Sequence, residues 1–242
     1  MSVIKANLAV SPQELFTSSS TQGTDLGALA TSGDGRYFRY FLNGAVTAVP
    51  GKVYQGPAQD ATNLSPAGGL TPAAAAIGTK TVTITSSTTN TTNVIAGGFM
   101  SVCVTPGQGY NYKVASNLAS SAGNMVVTLE DPILVALTTS SRVVFNQNPY
   151  SGCVVAPATL TAAPAGVAIY NVTNAQYGWL QTHGPASCLV TGTLGSAGLA
   201  VGVLVGGTIG SLAPCIAGTP VLGYTMSICA TTEYDNIFLQ ID

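Results

Sequence analysis

The sequence predicts an all-β fold, with short-stranded β-sandwich or barrel domains behind an extended N-terminal arm. Three observations carry that prediction. The run TKTVTIT at 79–85 alternates strictly, with Val82 and Ile84 on one side and Thr on the other, the period of a strand with one buried face. Short apolar runs recur along the chain between turn residues, 28 Gly and 13 Pro in all, which is the pattern of sandwiches and barrels. Helical periodicity is nearly absent, and the alanines Ala73–Ala76 behind Pro72 offer a single helical turn at most.

Taken in order, residues 1–35 read as the arm. They are rich in Ser, Thr and Gly, hold no sustained apolar period, and end in a Gly33-Asp34-Gly35 turn signal. Such a segment is disordered or ordered by draping over a partner. Residues 36–69 open with aromatic and basic side chains alternating from Arg36 to Phe41. Asn43-Gly44 follows as a hairpin signal, with a second strand at Lys52–Gln55 before Gly56-Pro57. These strands are expected to pack with the C-terminal domain, because residues 70–150 look self-contained. That central β domain holds the alternating run, a polar loop at 87–93, a strand at Phe99–Val104 and a turn and strand at 106–114. Three more strands follow, punctuated by Pro132, Asn148 and Pro149. A C-terminal β domain spans 151–242, with strands in CVVAPA, GVAIYNV, YGWLQTHG and Asn236–Ile241, and short strands with tight Gly turns across Thr191–Val205.

Charge is the second guide. Only 7% of residues are charged, against about 25% in ordinary domains, while 46% are hydrophobic and the net charge is −2. Residues 143–232 contain no Asp, Glu, Lys or Arg, and His183 alone interrupts them. The basic inventory is Lys5, Lys52, Lys80, Lys113, Arg36, Arg39 and Arg142, too sparse to neutralise a phosphate backbone, so a nucleic-acid partner is not expected. Leu194–Leu222 is long and apolar enough for a membrane helix, and Gly198, Gly202, Gly206 and Gly210 fall four apart. Its glycine density opposes a helix, basic flanks are missing, and strand-like sequence continues beyond it. The neutral stretch therefore reads as β structure with an uncharged assembly surface, and no membrane association is expected. The N-terminal MSVIKANLAVSPQELF lacks the apolar core of a secretory signal. Five widely spaced cysteines, Cys103, Cys153, Cys188, Cys215 and Cys229, read as small buried hydrophobes in a reducing compartment.

Candidate chemistry is thin. His183 is the one histidine, with no carboxylate within forty residues on either side, and reads as a strand-end residue near Trp179. Glu130-Asp131 before Pro132 reads as a turn rather than a glycosidase pair; Glu233/Asp235 and Asp25/Asp34 are the other acid pairs. Asp34 in SGDGR has no partners at calcium-loop spacing. Gly107-Gln108-Gly109 lacks the strand–helix context of a phosphate loop. No catalytic, cofactor-binding or metal-ligating residue is assigned, and a non-enzymatic protein is expected. The interface candidates are Arg36, Tyr37, Phe38, Arg39, Tyr40, Tyr177, Trp179 and His183, since aromatics and Arg anchor contacts. A core role is equally open for Phe38 and Trp179.

Four segments carry a resemblance: GDGRYFRYFLNGAVTAVPGKVYQGPA at 33–58, AGGFMSV…PGQGYNYKV at 96–114, TLEDPILVALTTSSRVVFNQNPYSGCVVAP at 128–157, and AQYGWLQTHGPASCLV at 175–190. With them the chain resembles virion structural proteins of tailed bacteriophages, encoded beside the major capsid protein. The resemblance implies a capsid decoration, or cement, protein. Its partners would be the major capsid protein and itself, as a homotrimer, on the capsid surface of a virion assembled in the host cytoplasm. The alternative is a receptor- or glycan-binding module of a head or tail fibre.

Overall fold

The computed structural model describes residues 8–44, 46–85, 89–120, 123–203 and 207–242. Residues 1–7 of the expected arm, Ser87 and Thr88 of the polar loop, and Leu204 and Val205 of the expected glycine-turn strands lie outside them. The architecture is all-β, in two sheets. The chain divides into two compact units, Met1–Pro57 with Pro149–Asp242, and Ala58–Asn148.

The first segment contributes β1 (Leu8–Ala9), α1 (Pro12–Leu15), β2 (Leu29–Thr31), β3 (Tyr37–Asn43) and β4 (Val53–Gln55). The inserted unit holds β5 (Thr71–Pro72), β6 (Thr81–Thr85), β7 (Phe99–Val104), β8 (Asn111–Asn117), β9 (Asn124–Leu129) and β10 (Arg142–Asn146). The chain then returns with β11 (Ser151–Val155), β12 (Pro164–Ala168), β13 (Tyr177–Leu189), β14 (Ala200–Gly202), β15 (Ala213–Pro214), β16 (Gly223–Thr225) and β17 (Tyr234–Gln240).

The inserted unit is one antiparallel sheet in the order β10-β7-β8-β9-β6-β5. Strand alternation decides its core. Val82 and Ile84 of β6 stand opposite Val127 and Met125 of β9, and all four are buried with Met100, Tyr112 and Phe145. The Thr residues between them face outward, as β-branched polar side chains on a half-buried strand do. Ala73–Ala76 forms no helical turn. Ala75 instead makes an isolated bridge to Leu137, each N–H donating to the other's carbonyl, which satisfies backbone groups that a lone turn would leave unpaired.

The other unit is a single sheet in the order β1-β2-β3-β11-β4-β12-β13-β17-β16-β14-β15, with β3 paired to β13 as well. That extra pairing closes a circuit: β3, β11, β4, β12 and β13 return to β3. Each of these strands sends a side chain to one cluster, with Phe41, Cys153, Tyr54, Ala165, Ala168 and Leu180 all buried. Small residues on β11 and β12 leave room for the two rings, a size alternation that a narrow closed sheet requires.

Two sequence expectations change here. Asn43-Gly44 does not turn a hairpin from β3 into β4, since β11 lies between them. Asn43 is fully buried and donates its amide to the carbonyls of Val46 and Val172, while the Gly44 N–H donates to Cys153. Residues 10–31, expected to stay free or drape over a partner, lie on the chain's own sheet. β2 pairs antiparallel with β3 and parallel with β1. A capping box starts α1: Ser11 accepts from the Glu14 N–H and Glu14 accepts from the Ser11 N–H, with Pro12 in the first turn. Leu15 is then buried against Ala30, Phe38, Tyr40 and Trp179. The apolar residues involved, Val10, Leu15, Leu26, Ala28 and Ala30, follow no single period, so pattern reasoning on the sequence passes over them.

Candidate functional site

The eight interface candidates meet because β3 and β13 are antiparallel neighbours. Tyr177 stands opposite Leu42, Trp179 opposite Tyr40, Gln181 opposite Phe38 and His183 opposite Tyr37, with a register shift between Gln181 and His183. The site is therefore assembled from residues far apart in sequence. Its members then separate by face. Phe38, Tyr40 and Trp179 are buried under residues 10–31, with Tyr40 stacked on half-buried Tyr177 at 5.9 Å and edge-on to Trp179 at 5.0 Å. These side chains form core, closed off by the chain itself.

The two arginines are held at the margin. Arg36 pairs with Asp34 at 2.8 Å and lies 5.5 Å from the centre of the Phe38 ring. Hydrogen bonds from Ser32 first, and then from Arg36, hold the Asp34 carboxyl below the usual carboxylate range. Arg39 pairs with Asp242 at 2.7 Å and donates to the Gly27 carbonyl at 2.9 Å. Burial works against the Arg39 charge, but Asp242 outweighs it and the guanidinium pKa rises above its ordinary value. Burial, with Asp242 nearby, pushes the Tyr150 phenol up to about 12.

Tyr37 and His183 belong to the opposite, solvent-facing side. His183 is not at a strand end. β13 runs on through Gly184, whose φ of +83° suits glycine and over which the Arg36 side chain passes. Beyond that point the strand alternates: Ala186 and Cys188 are buried, while Pro185 and Ser187 are exposed. β17 repeats the pattern with Ile237 and Leu239 inside. Pairing places His183 beside Gln240, Pro185 beside Phe238, and Ser187 beside Asn236, and β16 adds Tyr224 beside Phe238. One face thus packs on the buried cluster of Cys188, Val201, Ile237 and Leu239. The other carries a row of exposed Tyr37 and Tyr224 and half-buried His183 and Phe238, flanked by Asn236 and Gln240; among the described residues its nearest charges are at the margin, where Arg39 and Asp242 pair with each other.

Sequence reasoning passed over Tyr224, Met226, Asn236, Phe238 and Gln240. A signal existed: in YDNIFLQ at 234–240, Phe238 falls in the outward phase where a polar residue is the norm. Ring geometry within the row is specific. Tyr37 and His183 stack at 4.9 Å and 26°, and Phe238 meets His183 edge-on at 5.3 Å and 79°.

Of the groups with reactive side chains, His183 belongs to this row and the others lie outside it. The His183 Nδ1 is buried without a hydrogen-bond partner among the described residues. Glu130 pairs with Lys113 at 2.9 Å. Burial pushes the Cys153 and Cys188 thiols well up. Burial, then Asp235 and Glu233, also raises the Cys229 thiol above its ordinary value. Among the described residues no group of three His, Cys, Asp or Glu side chains is placed to hold a metal ion, and no helix is long and apolar enough to cross a membrane.

Comparison with protein-family models, with curated proteins and with solved structures finds no match to this chain.

Proposed function

We propose that this chain is a non-enzymatic structural protein of a tailed-bacteriophage virion, a capsid decoration protein that binds and stabilises the major capsid protein lattice. The observation that supports this reading is the uncharged, aromatic-bearing sheet face of β13, β17 and β16. A decoration protein keeps its contacts for the life of the particle. Contacts without ions avoid the desolvation that a buried charge would cost, and aromatic side chains supply most of the energy in such patches. The sequence resemblance points the same way.

The fibre-module alternative draws on the same rings. A glycan site would present ring faces to the sugar, whereas Tyr37 and His183 turn theirs toward each other. The test is mass spectrometry of purified particles, counted per capsid, with a glycan array run on the isolated protein. Hundreds of copies spread over the shell, without glycan binding, are expected. A handful of copies at one vertex with glycan binding selects the fibre module, and absence from particles removes both readings.

A further inference from the structure

We infer that residues 11–28 are a strap that lifts as one unit from the sheet and uncovers the groove of Phe38, Tyr40 and Trp179, while β3 and β13 stay paired. The inference concerns the side of the β3–β13 pair opposite Tyr37 and His183, and it does not rest on the decoration reading.

Both ends of the strap are fastened to one strand. Before it, β1 pairs with β2, and the Val10 N–H donates to the Thr31 carbonyl at 3.4 Å. After it, the chain enters β2 itself, which pairs with β3. A segment whose ends stay in place can leave the sheet and return to the same seat, because the closure of its loop is already fixed. Its own hydrogen bonds travel with it. Ser11 and Glu14 close the capping box, and the Thr17 hydroxyl donates to the Glu14 carbonyl. The Thr21 N–H donates to the Ser19 hydroxyl, and the Gln22 amide to the Thr24 carbonyl. These bonds make the strap one body rather than a row of independent residues.

Few contacts hold that body down. Leu15 is the one buried side chain of residues 11–28, and residues 16–23 are exposed throughout. The middle of the strap is joined to the sheet by Ser19, whose N–H donates to the Tyr177 carbonyl at 3.1 Å and whose carbonyl accepts from the Tyr177 N–H at 2.8 Å. The Gly23 N–H donates to the Tyr40 hydroxyl at 3.0 Å, and Gly27 and Ala28 bond the Tyr40 backbone where the strap runs into β2. One apolar anchor among solvent-exposed backbone bonds gives a segment that opens well below the free energy of global unfolding. The groove beneath does not depend on the strap for its shape. Tyr40 and Trp179 are cross-strand partners in the β3–β13 register, and Tyr40 braces both Tyr177 and Trp179. The rings therefore keep their places when Leu15 withdraws.

A thiol placed under the strap reads the opening. Ala30 on β2 is 0% exposed in the Leu15 cluster, and Ala30→Cys adds one sulfur there. The chain supplies its own references: Cys103 is exposed, while Cys153 and Cys188 are buried in other clusters. The full-length Ala30→Cys protein is treated with iodoacetamide under native conditions, and each site is followed by peptide mapping. The introduced thiol should react at least about tenfold more slowly than Cys103 and at least about tenfold faster than Cys153 and Cys188, the order expected of a local opening. Amide hydrogen exchange in the unaltered chain, followed by NMR, is the second measurement and holds even if Ala30→Cys packs poorly. The Ser19, Gly23 and Gly27 N–H groups should share one opening constant, at least about tenfold larger than that of the β3–β13 ladder. Labelling in step with Cys153 and Cys188, or strap amides as slow as the ladder, overturns the inference, because the strap then leaves only when the whole fold opens. Labelling as fast as Cys103, or unrelated opening constants at the three amides, overturns it too, since the segment is then an open arm or a fraying one. Occupancy of virions tests the decoration reading separately.

Discussion

Replacing Leu15 with Ala asks whether residues 10–31 cover the sheet or merely trail beside it. Leu15 is 1% exposed and is the buried residue of α1, packed with Ala30, Phe38, Tyr40 and Trp179. The substitution removes three buried carbons at about 0.8 kcal/mol each, or about 2.4 kcal/mol. A residual cavity adds to that. The exposed neighbours Pro12, Gln13 and Glu14 leave α1 free to settle inward, which keeps the total near 3 kcal/mol, in the lower half of the range for buried leucines. A loss of this size changes an equilibrium constant by about a hundredfold, at 1.4 kcal/mol per tenfold. Trp179 is the one tryptophan and sits directly in this cluster, 8% exposed, so its emission reports on the cover. In a urea titration the Leu15→Ala protein should shift to redder emission at lower urea than the parent, ahead of the loss of β signal if the cover opens first. A change below about 0.5 kcal/mol, within the usual spread for surface substitutions, with native emission unaltered, would refute the packing argument and restore a free arm. By the same logic, deleting residues 2–30 uncovers Phe38, Tyr40 and Trp179 and should destabilise the fold rather than trim it silently.

Two further outcomes follow from the charges and thiols. Burial would raise the Asp60 carboxyl, but hydrogen bonds from Asn63 and from the Thr62 N–H outweigh it and hold it below the usual carboxylate range. A lowered folded value means stabilisation that is present above the unfolded value of about 3.9 and lost as pH falls through the folded one. Thermal melts at neutral and acidic pH should therefore show a smaller acid-induced drop for Asp60→Asn than for the parent; an identical drop would exclude Asp60 as a contributor. Among the thiols, Cys103 is exposed while Cys153 and Cys188 are buried, with burial favouring the unreactive protonated form. Alkylation of the folded protein followed by peptide mapping should modify Cys103 first and leave Cys153 and Cys188 unmodified until denaturant is added, and early labelling of Cys188 would contradict the packing between β13 and β17.

How far the sequence reached depended on the range of each signal. Strand alternation is local, so Val82 and Ile84 announced a half-buried strand and the recurring turns announced an all-β chain. The neutrality of residues 143–232 likewise pointed to a surface without charge. The Ser11-Pro12-Gln13-Glu14 box was equally local and still passed over, because four residues without an apolar period read as linker. Other features required tertiary structure. A strand pairs with whatever lies beside it, so β11 entered between β3 and β4 and cancelled the hairpin implied by Asn43-Gly44. Tyr37 and His183 stack only because β3 and β13 adopt one register. A shift of one residue would have turned every side chain of β13 to the opposite face. Local alternation and recurring turns determined that this protein is β-structured, and its low charge content that it carries uncharged surface; the register of β13 against β3 and β17 decided that Trp179 is core and that Phe238 and Tyr224 face outward.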